Sequence, residues 1–465
     1  MTSAREHAGS VNATTEWMTR QRALSGVAAA YLYAAMIVAG PWIFTMLAIA
    51  GLSGTGCSVD CGQLPLFRSI VIYNSLFSLV VTSPLAFLCG RYIADQLHNG
   101  HEQSVFFAFL VSMAVFCLII LVTATPFYLT ATDLGAATRF ASLQNAFLIG
   151  VSWLLIPFLG VIRAQFAVLG AFGANAVLML ILGLTLSDPS ATTLLIAFNT
   201  GFAITDIVLF ATLVRRFGTH LAPDRSLLDF LRRKWELPAA GLAYALGIWA
   251  DKVVMWYGAP SGTLVLGGAI RTMPSYDTAM FWAQMASIPV IAVAFVHVET
   301  EFSHLFRRFH GRLGLQASLR ELTAAMQLLR TCVISNIAML FVALAIVATM
   351  MILLSFVFMN ELGLRPAYMS ILRVALCAMA FHTSAMFCFV FFLYFDLRRQ
   401  ALLIVATYGV LNTALTACFL LVGQAYYGYG TLLAAAATFL MAFFMLLREL
   451  PWLHYHAFIT NNTSL

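Results

Sequence analysis

The chain has 465 residues, of which 62% are hydrophobic and only 9% are charged. Soluble globular domains carry about 25% charged residues, so this composition excludes a soluble chain and predicts a protein that crosses a membrane several times. The formal net charge of +6 is modest for this length. It indicates membrane topology and not a nucleic-acid-binding surface.

Twelve apolar runs are each long enough to cross about 30 Å of hydrocarbon as an α-helix. They lie at residues 25–50, 66–89, 104–130, 140–162, 165–187, 192–214, 236–257, 278–298, 332–359, 368–395, 400–422 and 428–447. The first run is too long for the apolar core of a signal peptide, so we expect it to remain as a helix. The sequence therefore predicts an all-α membrane protein with twelve transmembrane helices.

The distribution of basic residues predicts the orientation of these helices. If the N-terminus is cytoplasmic, most of the 25 lysines and arginines fall in inner segments. The outer segments then hold only Arg68, Arg139, Arg271, Arg365 and Arg373. Because cytoplasmic loops carry the Lys/Arg excess, we expect both termini to be cytoplasmic.

The first outer loop contains the sequence CSVDC, with Cys57 and Cys61 four residues apart. An oxidising outer compartment would permit a local disulfide between them, and two free thiols are the alternative. A metal site is disfavoured because no histidine is near. The other cysteines are scattered singly through apolar runs, as is usual for buried cysteines.

A basic cytoplasmic segment divides the chain into two halves. We predict a cytoplasmic segment at 1–24, six-helix bundles at 25–214 and 236–447, a linker at 215–235 and a cytoplasmic tail at 448–465. Within the linker, Leu227, Leu228, Leu231 and Trp235 recur at helical spacing. A second amphipathic helix is predicted at about 300–330, with an apolar face that includes Phe302 and Phe309.

Basic residues cluster in both of these amphipathic segments. They are Arg215, Arg216, Arg232, Arg233 and Lys234 in the linker, and Arg307 and Arg308 in the later helix. Such residues anchor a helix to anionic headgroups on the cytoplasmic leaflet. A docking surface for a cytosolic partner is the alternative interpretation.

The run GIWADKVVMWYG, from Gly247, places Asp251 beside Lys252 within an apolar helix. A charge inside the membrane costs a few kcal/mol, so such a residue is a functional hypothesis by default. Neighbours on a helix project about 100° apart, so we expect each charge to have its own environment. Asp251, on the face of Tyr244, is predicted to line a hydrophilic path. Lys252 either lies over Trp256 or extends to the outer interface.

Three further positions are weighed in the same way. Asp206, in the sixth run, is a second candidate for the substrate path, with structural pairing as its alternative. His382, in the tenth run, is expected to be a hydrogen-bonded core histidine and not a proton relay. The Gly-rich connection from Gly258 either dips into a cavity, with Arg271, Tyr276 and Asp277 at its mouth, or is an ordinary outer loop.

Motifs for enzymatic chemistry are absent from the sequence. It contains no Walker A loop, no paired-carboxylate metal signature and no nucleophile elbow. We therefore expect no cofactor, no catalytic metal and no catalysis by this chain.

The segment from Trp249 to Phe302 resembles the corresponding region of the PelG family of inner-membrane exopolysaccharide transporters, which are grouped with the flippases of the multidrug/oligosaccharidyl-lipid/polysaccharide (MOP) superfamily. AGPWIF from Ala39, GRYIAD from Gly90 and HLAPD from His220 support this resemblance. The residues at family-like positions are Trp249, Asp251, Lys252, Arg271, Pro274, Tyr276, Asp277, Glu299 and Glu301.

This resemblance implies a bacterial inner-membrane, flippase-like fold and a role in export of an N-acetylgalactosamine-rich polymer. It also implies partners: a PelF-like cytosolic glycosyltransferase, a PelD-like cyclic-di-GMP receptor and PelE-like membrane proteins. We therefore expect a translocator whose two bundles enclose a path for the polymer, with Asp251, Asp206 and Glu299 suited to amines on the sugar. The alternatives are an ion-coupled exporter of organic cations and a scaffold that only activates the transferase.

Overall fold

The computed structural model of the chain describes residues 24–53, 63–162, 164–186, 190–219, 221, 226–314, 318–361 and 366–453. Cys57 and Cys61 lie outside the described residues, so their pairing stays a prediction.

The described chain is almost entirely helical. Its helices are α1 (Leu24–Ser53), α2 (Gln63–His98), α3 (Ser104–Thr130), α4 (Ala136–Val161), α5 (Gln165–Thr185), α6 (Ala191–Phe217), α7 (Ser226–Arg233), α8 (Glu236–Gly258), α9 (Pro274–His297), α10 (Ser303–Gly314), α11 (Leu319–Glu361), α12 (Pro366–Tyr394), α13 (Arg398–Val422) and α14 (Tyr429–Glu449). Each predicted apolar run coincides with one long helix. Within the described ranges, ten helices are long and apolar enough to cross a membrane. The all-α membrane fold is therefore confirmed, and the count of twelve spans stays a prediction.

The chain forms two compact units. The first contains Ala39–Trp249 and Ala259–Pro274. The second contains Ala250–Gly258 and Ser275–Leu465, together with the chain up to Val38. The division therefore falls inside α8, directly before the Asp251–Lys252 pair, and the predicted basic linker lies wholly within the first unit.

The two units repeat the same internal packing order. In the first, α4 packs extensively against α6, and α6 also packs against α5. In the second, α12 packs extensively against α14, and α14 also packs against α13. Counted along the long helices, these are the fourth, fifth and sixth members of each set of six. The last three long helices of each unit therefore pack in the same order, and the division into six-helix bundles at 25–214 and 236–447 stays a prediction.

Close helix contacts in the first unit depend on glycine. A side chain at Gly183 on α5 would come within 2.1 Å of the carbonyl oxygen of Gly51 on α1. Small residues of this kind allow membrane helices to approach until their backbones touch, which compensates for the weak hydrophobic drive between helices in lipid.

The Gly-rich connection after α8 forms a hairpin that sequence reasoning missed. Strand β1 (Leu264–Val265) pairs antiparallel with β2 (Arg271–Thr272). The turn contains Gly268, which has a φ of +64°, and a Cβ atom there would come within 2.6 Å of the carbonyl oxygen of Ala131, so a side chain is excluded. The Tyr73 hydroxyl accepts from the Arg271 N–H at 3.0 Å and donates to its carbonyl at 2.8 Å. The hairpin is thereby fixed on α2 and on the end of α3.

The linker helix α7 also packs against α2, but through a different face from the predicted one. Ser226 hydrogen-bonds the Tyr92 hydroxyl at 2.6 Å, and the Phe230 ring lies edge-on to Tyr92. Leu228 and Trp235 remain exposed. Positions 226, 230 and 234 are four residues apart, so one stripe of this short helix faces Tyr92 and Asp95 of α2.

The amphipathic helix predicted at about 300–330 is shorter than expected. A π-helical turn, Val298–Phe302, leads into α10, which ends at Gly314, and Leu319 already begins α11. Phe302 and Phe309 are buried. The Phe302 ring packs against Phe391, with centroids 5.0 Å apart, so the apolar face of this segment contacts α12.

Candidate functional site

Asp251 lies at the centre of a polar site in the second unit. It is 2% exposed. The Tyr276 hydroxyl donates to Asp251 Oδ2 at 2.8 Å, and Asn412 Nδ2 donates to Oδ1 at 3.3 Å. The Lys252 ammonium is 3.5 Å from the same Oδ1. The carboxylate is therefore buried but has a counter-ion and two hydrogen-bond donors.

The ion pair between Asp251 and Lys252 corrects our expectation that adjacent helix residues cannot meet. The Cβ atoms of neighbours diverge around the helix, but a lysine side chain has four methylene groups and can curl back along the helix surface. Lys252 is only partly buried, with 24% of its side chain exposed. Its ammonium therefore lies between the buried carboxylate and a more solvent-accessible surface.

Hydrogen bonds extend from this carboxylate to two further helices. The Tyr276 hydroxyl is 3.1 Å from the Thr431 hydroxyl on α14. On α13, the Thr416 hydroxyl donates to Asn412 Oδ1 at 3.4 Å, one helical turn away. The site thus joins α8, α9, α13 and α14 through polar side chains inside an otherwise apolar bundle.

A second pair of an acid and a hydrogen-bond donor links α8 to α9, with the donor on α8 and the acid on α9. The Trp256 indole N–H lies 3.0 Å from each carboxylate oxygen of Asp277. The loop-mouth role expected for Tyr276 is wrong, because Tyr276 belongs to α9 and is fully buried. Two acids on facing helices, each bonded to a donor from the other helix, hold α8 and α9 in register.

His382 is not the hydrogen-bonded core residue that the sequence predicted. Its ring packs against Tyr408, with centroids 4.5 Å apart. Within the described part of the chain, its Nδ1 atom is buried and has no hydrogen-bond partner.

The aromatic candidates before Asp251 belong to the first unit. Tyr244 is half-buried, and its ring lies 6.2 Å from that of Phe87 on α2. Trp249 is also half-buried. The peptide group of Arg271 is held by Tyr73, as described above for the hairpin. Glu299 is half-buried in the π-helical turn, and Glu301 is exposed.

Asp206 is a buried acid of the first unit and has fewer polar partners than Asp251. It is 7% exposed. The Ser152 hydroxyl donates to Asp206 Oδ1 at 2.5 Å. In the described structure, the other oxygen, Oδ2, is buried and has no hydrogen-bond partner.

The Ser152–Asp206 contact is one rung of a polar ladder between α4 and α6. The other rungs join Thr138 to Thr192 at 2.7 Å and Asn145 to Asn199 at 2.8 Å. Partners are always 54 residues apart, and successive rungs are seven residues apart. Seven residues make about two helical turns, so the rungs lie on one seam between two parallel helices.

The middle rung extends to α2 and α3. Asn74 Nδ2 donates to Asn145 Oδ1 at 2.9 Å, and the Tyr128 hydroxyl donates to Asn74 Oδ1 at 2.6 Å. Sequence reasoning missed this network because asparagine carries no charge and does not stand out within an apolar run. The seven-residue spacing of polar residues along α4 and along α6 was the signal that could have found it.

The basic candidates lie near the end of α6, in and directly after α7, and within α10. Arg216 forms a bidentate pair with Glu102, at 2.8 and 3.0 Å, and this arginine lowers the pKa of the exposed Glu102 carboxyl. Lys234 pairs with Asp95 at 3.1 Å and lies over the Phe230 ring. The remaining arginines are exposed: Arg215, Arg232, Arg233, Arg307 and Arg308.

Solved structures similar to this chain are membrane transporters. One is an inward-facing multidrug resistance MATE family transporter of the MOP superfamily, with a TM-score of 0.61 and 13% identity over 89% of this chain and 95% of that chain. An outward-facing multidrug resistance MATE family transporter of the MOP superfamily has a TM-score of 0.58 and 14% identity, over 91% of this chain and 96% of that chain. A MOP superfamily transporter from Pyrococcus furiosus has a TM-score of 0.58 and 13% identity, over 91% of this chain and 95% of that chain.

At these identities, the structural likeness establishes the fold alone. A search of curated proteins found no match to the sequence. The sequence pattern of the PelG family, described as "Putative exopolysaccharide Exporter (EPS-E)", matches residues 15–458. The match covers most of this multi-pass membrane protein, and the chain belongs to the PelG family.

Proposed function

We propose that this chain translocates an N-acetylgalactosamine-rich exopolysaccharide across the bacterial inner membrane while a cytosolic glycosyltransferase elongates it. The observation that carries this proposal is the PelG family match over residues 15–458. The identity of the sugar and the partnership rest on the resemblance of the segment from Trp249 to Phe302.

The Asp251 site is the proposed contact for the polymer. A buried ion pair in a membrane helix is costly, and replacing it by apolar residues often stabilises a protein, so its presence favours a functional role. The Asp251 carboxylate and the Tyr276 hydroxyl are groups that sugar hydroxyls and amines can bind. Because both are engaged with protein partners, a sugar that reaches them must displace Lys252 or Tyr276.

The exposed arginines form the proposed cytoplasmic surface. Arg232 and Arg233 lie on α7, and Arg307 and Arg308 lie on α10. With both termini in the cytoplasm, these four side chains face the compartment of the PelF-like glycosyltransferase. PelD-like and PelE-like membrane proteins are the further partners that the resemblance implies.

Polymer secretion by substituted chains tests the role of the site. In a strain that lacks the natural copy, wild type, Asp251→Ala and the exposed-acid control Asp133→Asn are expressed, and cell-surface polymer is measured with an N-acetylgalactosamine-binding lectin. We expect at least a tenfold loss of polymer for Asp251→Ala and no loss for Asp133→Asn. Each signal is normalised to the amount of chain in the membrane.

Two results contradict the proposal. Normal secretion by Asp251→Ala at normal membrane abundance removes Asp251 from the path. Normal secretion with Asp251, Lys252 and Asp277 all neutralised favours a scaffold that activates the transferase without conducting the polymer. Retention of the transferase during purification of wild type, and its loss from a variant with Arg232, Arg233, Arg307 and Arg308 replaced by glutamine, tests the partner surface.

A further inference from the structure

The environment of Asp206 differs from that of Asp251. One carboxylate oxygen accepts a single hydrogen bond, from Ser152, and the other has no partner. The side chain is 7% exposed and lies near the middle of α6. No cation lies within ion-pairing distance of it in the described structure.

The helices around Asp206 provide no counter-charge. The helices that pack against α6 are α2, α3, α4 and α5. Their titratable side chains, with those of α6, are Arg68, Tyr73, Cys89, Arg91, Tyr92, Asp95 and His98 on α2, Cys117 and Tyr128 on α3, Arg139 on α4, and Arg215 and Arg216 on α6, whereas α5 has none. None of these side chains hydrogen-bonds or ion-pairs with Asp206.

Several of these groups are already engaged elsewhere. Arg91 pairs with Asp95, Tyr128 bonds Asn74, and Arg216 pairs with Glu102. Arg215 begins nine residues after Asp206, which is about 14 Å along the helix. The distance and the low exposure together prevent these cations from compensating a charge at Asp206.

An ionised carboxylate in this position would be energetically unfavourable. Transfer of an unpaired charge into an apolar interior costs far more than transfer of a neutral acid, so the group takes up a proton instead. A metal cation would bind less well than a proton here. Hard cations require several oxygen donors, and Oδ2 has no hydrogen-bond partner in the described structure. The chemistry of the position therefore selects a proton.

We propose that Asp206 is a proton-binding site, occupied in this conformation. The Ser152 hydroxyl orients the carboxyl group, and the burial of the side chain limits its contact with water. A conformation that admits water to Oδ2 releases the proton. This assignment is independent of the polymer, because it depends only on the burial and the partners of one side chain.

Infrared spectroscopy of the purified full chain tests the proposal. A protonated carboxylic acid has a carbonyl stretching band that a carboxylate lacks. We expect this band in wild type at neutral pH, its loss in Asp206→Asn, and its retention in Asp251→Asn, the matched control. Equal band intensity in wild type and Asp206→Asn overturns the proposal, as does loss of the band on addition of sodium chloride at fixed pH.

A second variant covers the case in which Asp206→Asn does not fold. Ser152→Ala keeps the acid but removes its one hydrogen bond, so the same band must shift in frequency. A band that is unchanged in Ser152→Ala belongs to a different acid and contradicts the assignment.

Discussion

Asp251 and Asp206 are both buried on long helices, but their partners differ. Asp251 has a lysine, a tyrosine and an asparagine around its two oxygens. Asp206 has one serine. The proposed protonation of Asp206 implies that burial alone does not decide whether an acid in this fold is charged. The number of donors around it does, because each donor replaces part of the hydration that the carboxylate lost.

The two units differ in the same way. In the first, uncharged side chains join α2, α3, α4 and α6, and every member of the Asn145 rung is hydrogen-bonded. In the second, the connections among α8, α9, α13 and α14 converge on a charge. A neutral, satisfied network fixes geometry, whereas an ion pair can exchange partners.

The largest expected effect is on stability at the Asp251 site. Asp251→Ala removes the acceptor for Tyr276 and Asn412 and leaves Lys252 without its counter-ion, so we expect a loss of about 3–5 kcal/mol. Thermal unfolding in detergent measures it. Asp251→Asn with Lys252→Gln removes both charges and should recover most of that loss. A double variant as unstable as Asp251→Ala would show that packing, and not charge pairing, dominates.

The neutral ladder should show an intermediate effect. Asn145→Ala leaves the side chains of Asn74 and Asn199 buried with a partner missing, which costs about 1–3 kcal/mol. Asn199→Ala should cost a similar amount, and the double variant should cost less than the sum of the two. Additive losses in this double-mutant cycle would argue against direct coupling.

A smaller effect is expected at Asp206. If the acid is neutral, an amide of the same shape is a close substitute, and Asp206→Asn should change the unfolding free energy by about 1 kcal/mol or less. The same substitution at Asp251, where the charge is paired, should cost more. Equal losses at the two positions would remove the distinction between them.

The smallest effect is expected at the exposed acid Glu102. Arg216 lowers its pKa, so this pair stabilises the folded chain above the usual glutamate pKa, and the contribution is lost as the pH falls through the lowered value. Because both side chains are about half exposed, Glu102→Gln should cost about 0.2–1 kcal/mol. Added salt should weaken the pair but leave the Asp251 site unaffected.

The helices could be predicted from the sequence because membrane length and apolar composition define them. The prediction also found Asp251, Lys252 and Asp206, since charges stand out in apolar runs. It could not place the Lys252 ammonium, because a long side chain has many rotamers and its direction depends on neighbours from distant helices. The hairpin had a local signal that was not used: Gly267 and Gly268 lie between two short apolar runs.

The constant offset of 54 residues between α4 and α6 has a mechanical consequence. Sliding one helix along the other by a single turn, about 5.4 Å, would separate Thr138 from Thr192, Asn145 from Asn199 and Ser152 from Asp206 at the same time. No partial slip preserves two contacts while a third breaks. These two helices must therefore move together as one rigid unit in any transport cycle. Conformational changes must then occur in helices that the ladder does not connect.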